Sequence, residues 1–275
     1  MRSVLLPMTP NYAVAGLWFK FYERWQDEVD KVEVNFNTKS HGKGIKDLVL
    51  STKANYIMLA EYDGIVFKKG FVDEMFSLIE EGEYDIVGSP RMSCTPEVAE
   101  VAKKKFNLDY EGYGDRGPHF WPCFFFTKTS LLEKTDMHFE SFGKKKGEYI
   151  KMLDHEVKDV FGGDTFTWTS LQLRSVVKPE RILEINQYHS SLYDLEDYRK
   201  NINLFDGKCD RFHIGSIAGN IVKPNTDQEK WELERRIMWL ELAGLDQTYV
   251  IKENGLSRSR VNKTKKVYKE LVQWK

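Results

Sequence analysis

Glu61 and Asp63 stand two residues apart, after the short apolar run 56–60 and just before Gly64. Such a run reads as a buried strand, and the glycine as the turn that closes it. Two carboxylates at a strand end repel one another and lose hydration unless a cation sits between them. A divalent cation holding a diphosphate removes that cost. A solvated acidic turn has the same local sequence, so three other stretches matter. His213 precedes Gly215, Ser216 and Gly219, a composition suited to a loop that hugs a phosphate; a packed histidine is the plain alternative. Gly42-Lys43-Gly44 either makes a tight turn before a helix or brings backbone and Lys43 up to phosphate. Residues 149–161 place Tyr149, Met152, Leu153, Val157, Val160 and Phe161 on one helical face. On that wheel Asp154 and Glu156 flank the face and His155 points away. One of these acids, partly desolvated, would serve as a general base with a raised pKa. An ordinary amphipathic helix with acids at its margins fits the same pattern.

The elements that must position these residues alternate. Residues 3–6 form a first strand, broken by Pro7, Thr9, Pro10 and Asn11. Trp18, Phe21, Tyr22, Trp25 and Val29 recur at helical spacing, and 31–37 alternates as a second strand. Ile45, Leu48 and Val49 mark a helix, 56–60 the third strand, Phe71 to Ile79 another helix, and 84–88 a fourth strand. Strands separated by helices of this length imply βαβ units and a mostly parallel sheet. After residue 90 the pattern changes. Thr95-Pro96 opens a helix running to Phe106, and 107–119 is a glycine-rich, aromatic binding loop or lid. Residues 121–127 must be buried, 143–147 reads as an exposed lysine loop, and 166–169 and 181–189 read as strands. From Thr226 the chain turns helical and ends in a basic tail. The expected fold is α/β: a Rossmann-type, mostly parallel sheet with helices on both faces, plus a helical C-terminal appendage. The expected divisions are 1–220, made of a nucleotide-binding half (1–90) and an acceptor half (91–220), and 221–275.

Bulk properties narrow the classes. The 275 residues are 41% hydrophobic and 30% charged with a net charge of −1, which provides no global field for nucleic acid or membrane. Cys94, Cys123 and Cys209 show no metal-ligand spacing and fit buried thiols in a reducing compartment. The first residues lack the apolar core of a signal peptide and no stretch is long enough to span a bilayer, so the expected location is cytoplasmic, the host cytoplasm if a phage encodes the chain. There is no G-x-G-x-x-G after the first strand and no Walker motif, which argues against dehydrogenases and P-loop enzymes.

Taken in order, these features resemble the nucleotide-sugar-dependent glycosyltransferases of the GT-A fold, over roughly residues 1–220. Glu61-Tyr62-Asp63 stands at the position of that family's Asp-x-Asp metal motif, and Leu153-Asp154-His155-Glu156 is similar to its acceptor-side acidic pair. His213 resembles the late histidine that completes the metal site. Two departures stand out: the first acid of the metal motif is Glu, and Leu153 replaces an expected Glu. The resemblance implies Mn²⁺ or Mg²⁺ held by Asp63, Glu61 and His213, and a nucleoside diphosphate sugar donor, taken as a UDP-sugar. Pro7, Thr9, Asn11, Lys43, Glu61, Tyr62 and Ser216 would line the donor. Asp154 is the first choice for the base and Glu156 the second; in a retaining enzyme neither is needed.

The acceptor is read from charge. Lys103–Lys105, Lys144–Lys146 and the tail from Arg258 to Lys269 are basic clusters on an otherwise neutral chain. They suit DNA carrying hydroxymethylated pyrimidines, as in phage-type DNA-modifying glycosyltransferases, with a flipped base held by the 110–119 loop. The stretch 255–263 faintly resembles the turn and recognition helix of a helix-turn-helix. A surface glycan is the alternative acceptor, and a non-catalytic nucleotide-binding module the alternative class. No obligate protein partner is evident.

Overall fold

The computed structural model describes residues 1–7, 18–19, 22–23, 31–35, 40–61, 64–66, 70–91, 94–107, 119–185, 188–189, 211–213, 230, 233–234, 237–238, 241 and 246–271. The backbone alone is described at 64–66, 91, 188–189, 211–213, 264 and 267–271. The chain forms two compact units. Unit one comprises Met1–Thr9, Glu28–Glu61 and Val72–Asn186; unit two comprises Pro10–Asp27, Tyr62–Phe71 and Gln187–Lys275. The expected 221–275 appendage falls inside unit two.

Numbering strands along the chain, unit one is built on β1 (Arg2–Pro7), β2 (Lys31–Asn35), β3 (Tyr56–Leu59), β5 (Ile86–Gly88), β8 (Phe125–Lys128) and β13 (Ile182–Glu184). They form one sheet in the order β13-β5-β8-β3-β1-β2. β1 runs parallel to both β2 and β3, and β13 parallel to β5. Only β8 is reversed, antiparallel to β3 on one side and β5 on the other. The mostly parallel sheet expected from the sequence is therefore present. β1 is buried from Ser3 to Pro7, the near-continuous apolar signature of a parallel strand covered on both faces. The edge strand β2 is only partly buried along its length, and its Glu33 accepts hydroxyl hydrogen bonds from Ser3 at 2.7 Å and Thr52 at 2.5 Å.

Between residues 40 and 107 the helices lie where the sequence placed them. His41–Ser51 buries Ile45, Leu48 and Val49 against the sheet's core cluster, and Phe71–Glu80 starts at Phe71. Gly82, at φ +76°, follows that helix in the left-handed region a glycine tolerates best. Pro96–Phe106 opens at Pro96 as expected, although the Thr95 hydroxyl accepts from Gly162 N rather than capping the helix. Burial pushes the Cys94 thiol up to about 12. Cys123 is fully buried as expected, whereas Cys94 is partly exposed; Cys209 lies outside the described residues.

Four local expectations are overturned. Residues 149–161 are not a helix. They form the hairpin β10 (Tyr149–Ile150) and β11 (His155–Glu156) around a single 3₁₀ turn, Lys151–Leu153. β12 (Val160–Gly163) then pairs with β9 (Phe142–Lys145), so the expected lysine loop is a strand. Asp154 stops any helix by adopting φ +47°. Ile150, Leu153, Val157 and Phe161 are buried at spacings that imitate a helix, but they reach a second core cluster from a hairpin and the strand after it. Conversely, 166–169 is no strand: Thr167–Val176 is a helix. Its alternating hydroxyls are packing groups. Thr169 Oγ1 donates to His138 O at 2.8 Å, and Ser170 Oγ accepts from Phe120 N at 2.8 Å. The single strand expected at 181–189 is two: β13 in unit one and β14 (Tyr188–His189) in unit two.

Unit two contains the three-stranded sheet β14-β15-β4, with β4 at Gly64–Val66 and β15 at Arg211–His213. β15 runs antiparallel to β4 in a register that sets His213 opposite Gly64. Its helices Thr248–Glu253 and Arg258–Leu271 are joined through Gly255, at φ +59°.

Candidate functional site

The carboxyl ends of β2, β1 and β3 are adjacent, and β1 has its two successors on opposite sides. In open α/β sheets such a reversal of strand order leaves a crevice where ligands bind. Pro7, the last residue of β1, pairs with Asn35, the last of β2. Beyond β3 the ladder continues for one residue, Ala60 N donating to Leu5 O at 3.0 Å, and the next residue is Glu61. The sequence thus places Glu61 just past the strand end where the order reverses.

Trp121 and His41 both meet its carboxylate. The Trp121 indole N–H donates to Glu61 Oε2. His41 Nε2 lies 3.5 Å from Glu61 Oε1, with the carboxylate side chain 12% exposed and the imidazole 26%. His41 is the first residue of the His41–Ser51 helix, whose N-terminal end carries a partial positive charge that favours a carboxylate. That end is fixed in turn. Ser40 Oγ accepts from Lys43 N at 3.2 Å and donates to Glu140 Oε1 at 2.5 Å. Gly42 is buried so closely that a Cβ would lie 2.7 Å from the Phe139 carbonyl carbon and oxygen. Its close approach is therefore to the protein's own backbone, while Lys43 is exposed on the same turn. Trp121 is held by its backbone N–H, which donates to Ser89 O at 2.9 Å. The turn it opens ends on buried Phe124 at φ +57°, a left-handed conformation costly for a bulky side chain.

The two candidate bases sit elsewhere in unit one. Asp154 and Glu156 are both exposed on the β10–β11 hairpin, so neither is desolvated as expected. The Tyr149 hydroxyl donates to Asp154 Oδ1, which pushes the tyrosine pKa up. His155, expected to point away, is the residue of the three that turns inward: its Nε2 lies 2.6 Å from Glu97 Oε1. Glu97 also accepts from Lys158 N at 2.7 Å and Asp159 N at 3.0 Å. Burial pushes Glu97 up, but these hydrogen bonds outweigh it and hold the carboxyl below its ordinary range.

Thr9, Asn11, Tyr62, Asp63 and Ser216 lie outside the described residues, and His213 is described through its backbone only. Among the described residues no three His, Cys, Asp or Glu side chains gather as a metal site. His41 and Trp121 are the neighbours of Glu61 that sequence reasoning missed. A signal existed for one of them, because an indole N–H in an apolar run needs an acceptor once buried.

Each basic cluster is engaged in part. Lys104 pairs with Glu100 at 2.5 Å and Lys144 with Glu148 at 3.3 Å. Arg258 and Lys265 both meet Glu241, and Arg260 meets Glu234 at 2.8 Å.

No protein-family model and no curated protein matches the chain. Several solved structures resemble it. The bifunctional glycosyltransferase WbbM, in its apo structure, is 10% identical with a TM-score of 0.45, covering 86% of this chain and 49% of its own. Mouse xyloside xylosyltransferase 1 is 11% identical with a TM-score of 0.43, covering 82% of this chain and 100% of its own. The galactosyltransferase LgtC, solved with donor and acceptor sugar analogs, is 12% identical with a TM-score of 0.45, covering 89% and 95%. The chain thus spans about half the length of WbbM, 49%.

Proposed function

We propose that the chain is a nucleotide-sugar-dependent glycosyltransferase that uses a divalent cation. The observation that carries this reading is the position of Glu61, one residue past the β3 ladder where strand order reverses, with Asp63 two residues on. The β15–β4 register supports it, because His213 pairs with Gly64, the residue that follows Asp63 in the chain. Carboxylate and imidazole donors together suit Mn²⁺ or Mg²⁺. Asp63 and His213 would hold the cation, with Glu61 beside them or on the nucleoside. When bound, the cation neutralises the charge of the departing diphosphate. The chain's own part is to orient the donor: Pro7 closes β1 at the crevice, and Thr9, Asn11, Lys43, Tyr62 and Ser216 are the proposed contacts with a UDP-sugar. The acceptor hydroxyl attacks the anomeric carbon as the bond to the diphosphate breaks, and its proton passes to a base. Asp154 or Glu156 fills that role only if the bound acceptor excludes water from them, since both are exposed.

A saccharide hydroxyl is the proposed acceptor. The DNA reading drew on basic clusters, and Lys104, Lys144, Arg258, Arg260 and Lys265 each have a carboxylate partner. The test is a panel of nucleotide sugars with Mn²⁺ or Mg²⁺, alone, with oligosaccharides and with hydroxymethylated DNA, read by mass. We expect cation-dependent turnover of a UDP-sugar that Asp63→Asn abolishes without changing the melting temperature. Undiminished turnover in chelator would overturn the cation, and an adduct on DNA alone would overturn the saccharide.

A further inference from the structure

We propose that Trp121 and His41 are positioning residues that clasp Glu61 and set the nucleotide affinity of the crevice through it; this rests on the reading above. The two side chains come from different elements and approach different oxygens of one carboxylate: the indole N–H donates to Oε2, and His41 Nε2 faces Oε1 at 3.5 Å. A Glu side chain has three rotatable bonds, and at an unsupported strand end it would sample several directions. Here one oxygen accepts from the indole and the other faces the imidazole, so the carboxylate is held in one orientation and is preorganised.

Each arm is itself anchored. Trp121 is held by its backbone bond to Ser89 O and by a turn that keeps buried Phe124 in the left-handed region at φ +57°. Strain of that kind persists only where surrounding packing enforces it, and it gathers where geometry matters. His41 is fixed by the Ser40 cap and by Gly42, which no other residue can replace without moving the 139–140 backbone. The β3 end, the first turn of the His41–Ser51 helix and the turn before β8 thus converge on one carboxylate.

A merely structural Trp121 would contribute to packing whether or not Glu61 were present, so the two roles separate in a double-mutant cycle. The first measurement needs no nucleotide. In a protein with ¹⁵N-labelled tryptophan, one of the seven indole resonances should lie downfield and move upfield in Glu61→Ala. No change in any indole resonance overturns the clasp. The second is UDP affinity by calorimetry with Mg²⁺. Trp121→Phe should weaken binding about tenfold in the wild-type background and change it less than about twofold in Glu61→Ala. Equal losses in both backgrounds overturn the positioning role. His41→Ala should behave in the same way. Should Trp121→Phe fail to fold, the indole shift in Glu61→Ala and the His41 cycle decide. A wild-type protein that shows the shifted indole yet binds neither UDP nor UDP-sugars would sink the nucleotide reading and leave the clasp standing.

Discussion

A carboxylate at a strand end has to be met by donors, and Glu61 is met by an indole 60 residues away in the chain. That distance explains what the sequence shows of the site and what it hides. Glu61 is legible because an apolar run ends abruptly on an acid, a strictly local signal. Trp121 and His41 are not, because no local pattern says which side chain will reach across to it. Gly42 illustrates the same point. Two glycines around Lys43 suggest a loop against phosphate, whereas the structure uses Gly42 to let a helix touch the 139–140 backbone. We expect Gly42→Ala to destabilise unit one by roughly 1–3 kcal/mol, the usual cost of overpacking, visible as a lower melting temperature. Nucleotide affinity measured well below that temperature should change far less than in Glu61→Ala.

At the scale of elements, the sheet is legible where strands are continuous apolar runs, and the region after residue 140 is not. Ile150, Leu153, Val157 and Phe161 satisfy a helical period while lying on a hairpin and the strand after it. The deciding interactions are tertiary. Glu97 takes the backbone N–H groups of Lys158 and Asp159, donors that an isolated stretch would spend on its own helix. Asp85 ties the far end of the sheet in a comparable way. Its carboxylate accepts from Arg181 Nε at 3.0 Å and from Lys128 Nζ at 2.7 Å, joining the segments that lead into β5 and β13 to the end of β8. The Arg181 hydrogen bonds, with Lys128 assisting against burial, hold Asp85 below its ordinary value of 3.8. A carboxyl depressed in the folded state stabilises above its ordinary pKa, and that contribution fades as the pH falls through the folded value. Asp85→Asn should therefore cost about 1–3 kcal/mol at neutral pH. In denaturant titrations the difference from wild type should shrink progressively below the ordinary aspartate range. A difference that stayed constant from neutrality to acid would count against the ion pairs as its source.

Across the whole molecule, the formal net charge of −1 conceals a balance kept locally. In unit two the helix beginning at Arg258 is tied to Glu234 and Glu241, two acids that are 7% exposed as side chains. Desolvation pushes Glu234 up, with Arg260 opposing it. Composition shows the basic tail, but pairing across 17 to 26 residues is visible only in the fold. We expect Glu241→Gln to destabilise the protein measurably, because it leaves Arg258 and Lys265 facing a neutral amide in a partly buried place. Binding of plain duplex DNA should stay undetectable in low-salt titrations for the wild type.

The reversed strand β8 also dictates an order of events as the chain leaves the ribosome. β1, β2 and β3 neighbour one another within the first 59 residues and can pair as soon as they emerge, because their contacts close short loops. β5, at residues 86–88, has no such partner: between it and β3 lies β8, which ends only at Lys128, and its other neighbour β13 ends at Glu184. The stretch 1–90 is thus a half in sequence and not in assembly. A nascent chain of that length would carry β5 as an unpaired apolar segment, the kind of edge that invites association with other chains. Fragments ending at residue 90 should exchange their 86–88 amides freely in hydrogen-exchange measurements and aggregate. Protection of that strand should arise only in fragments long enough to supply β8.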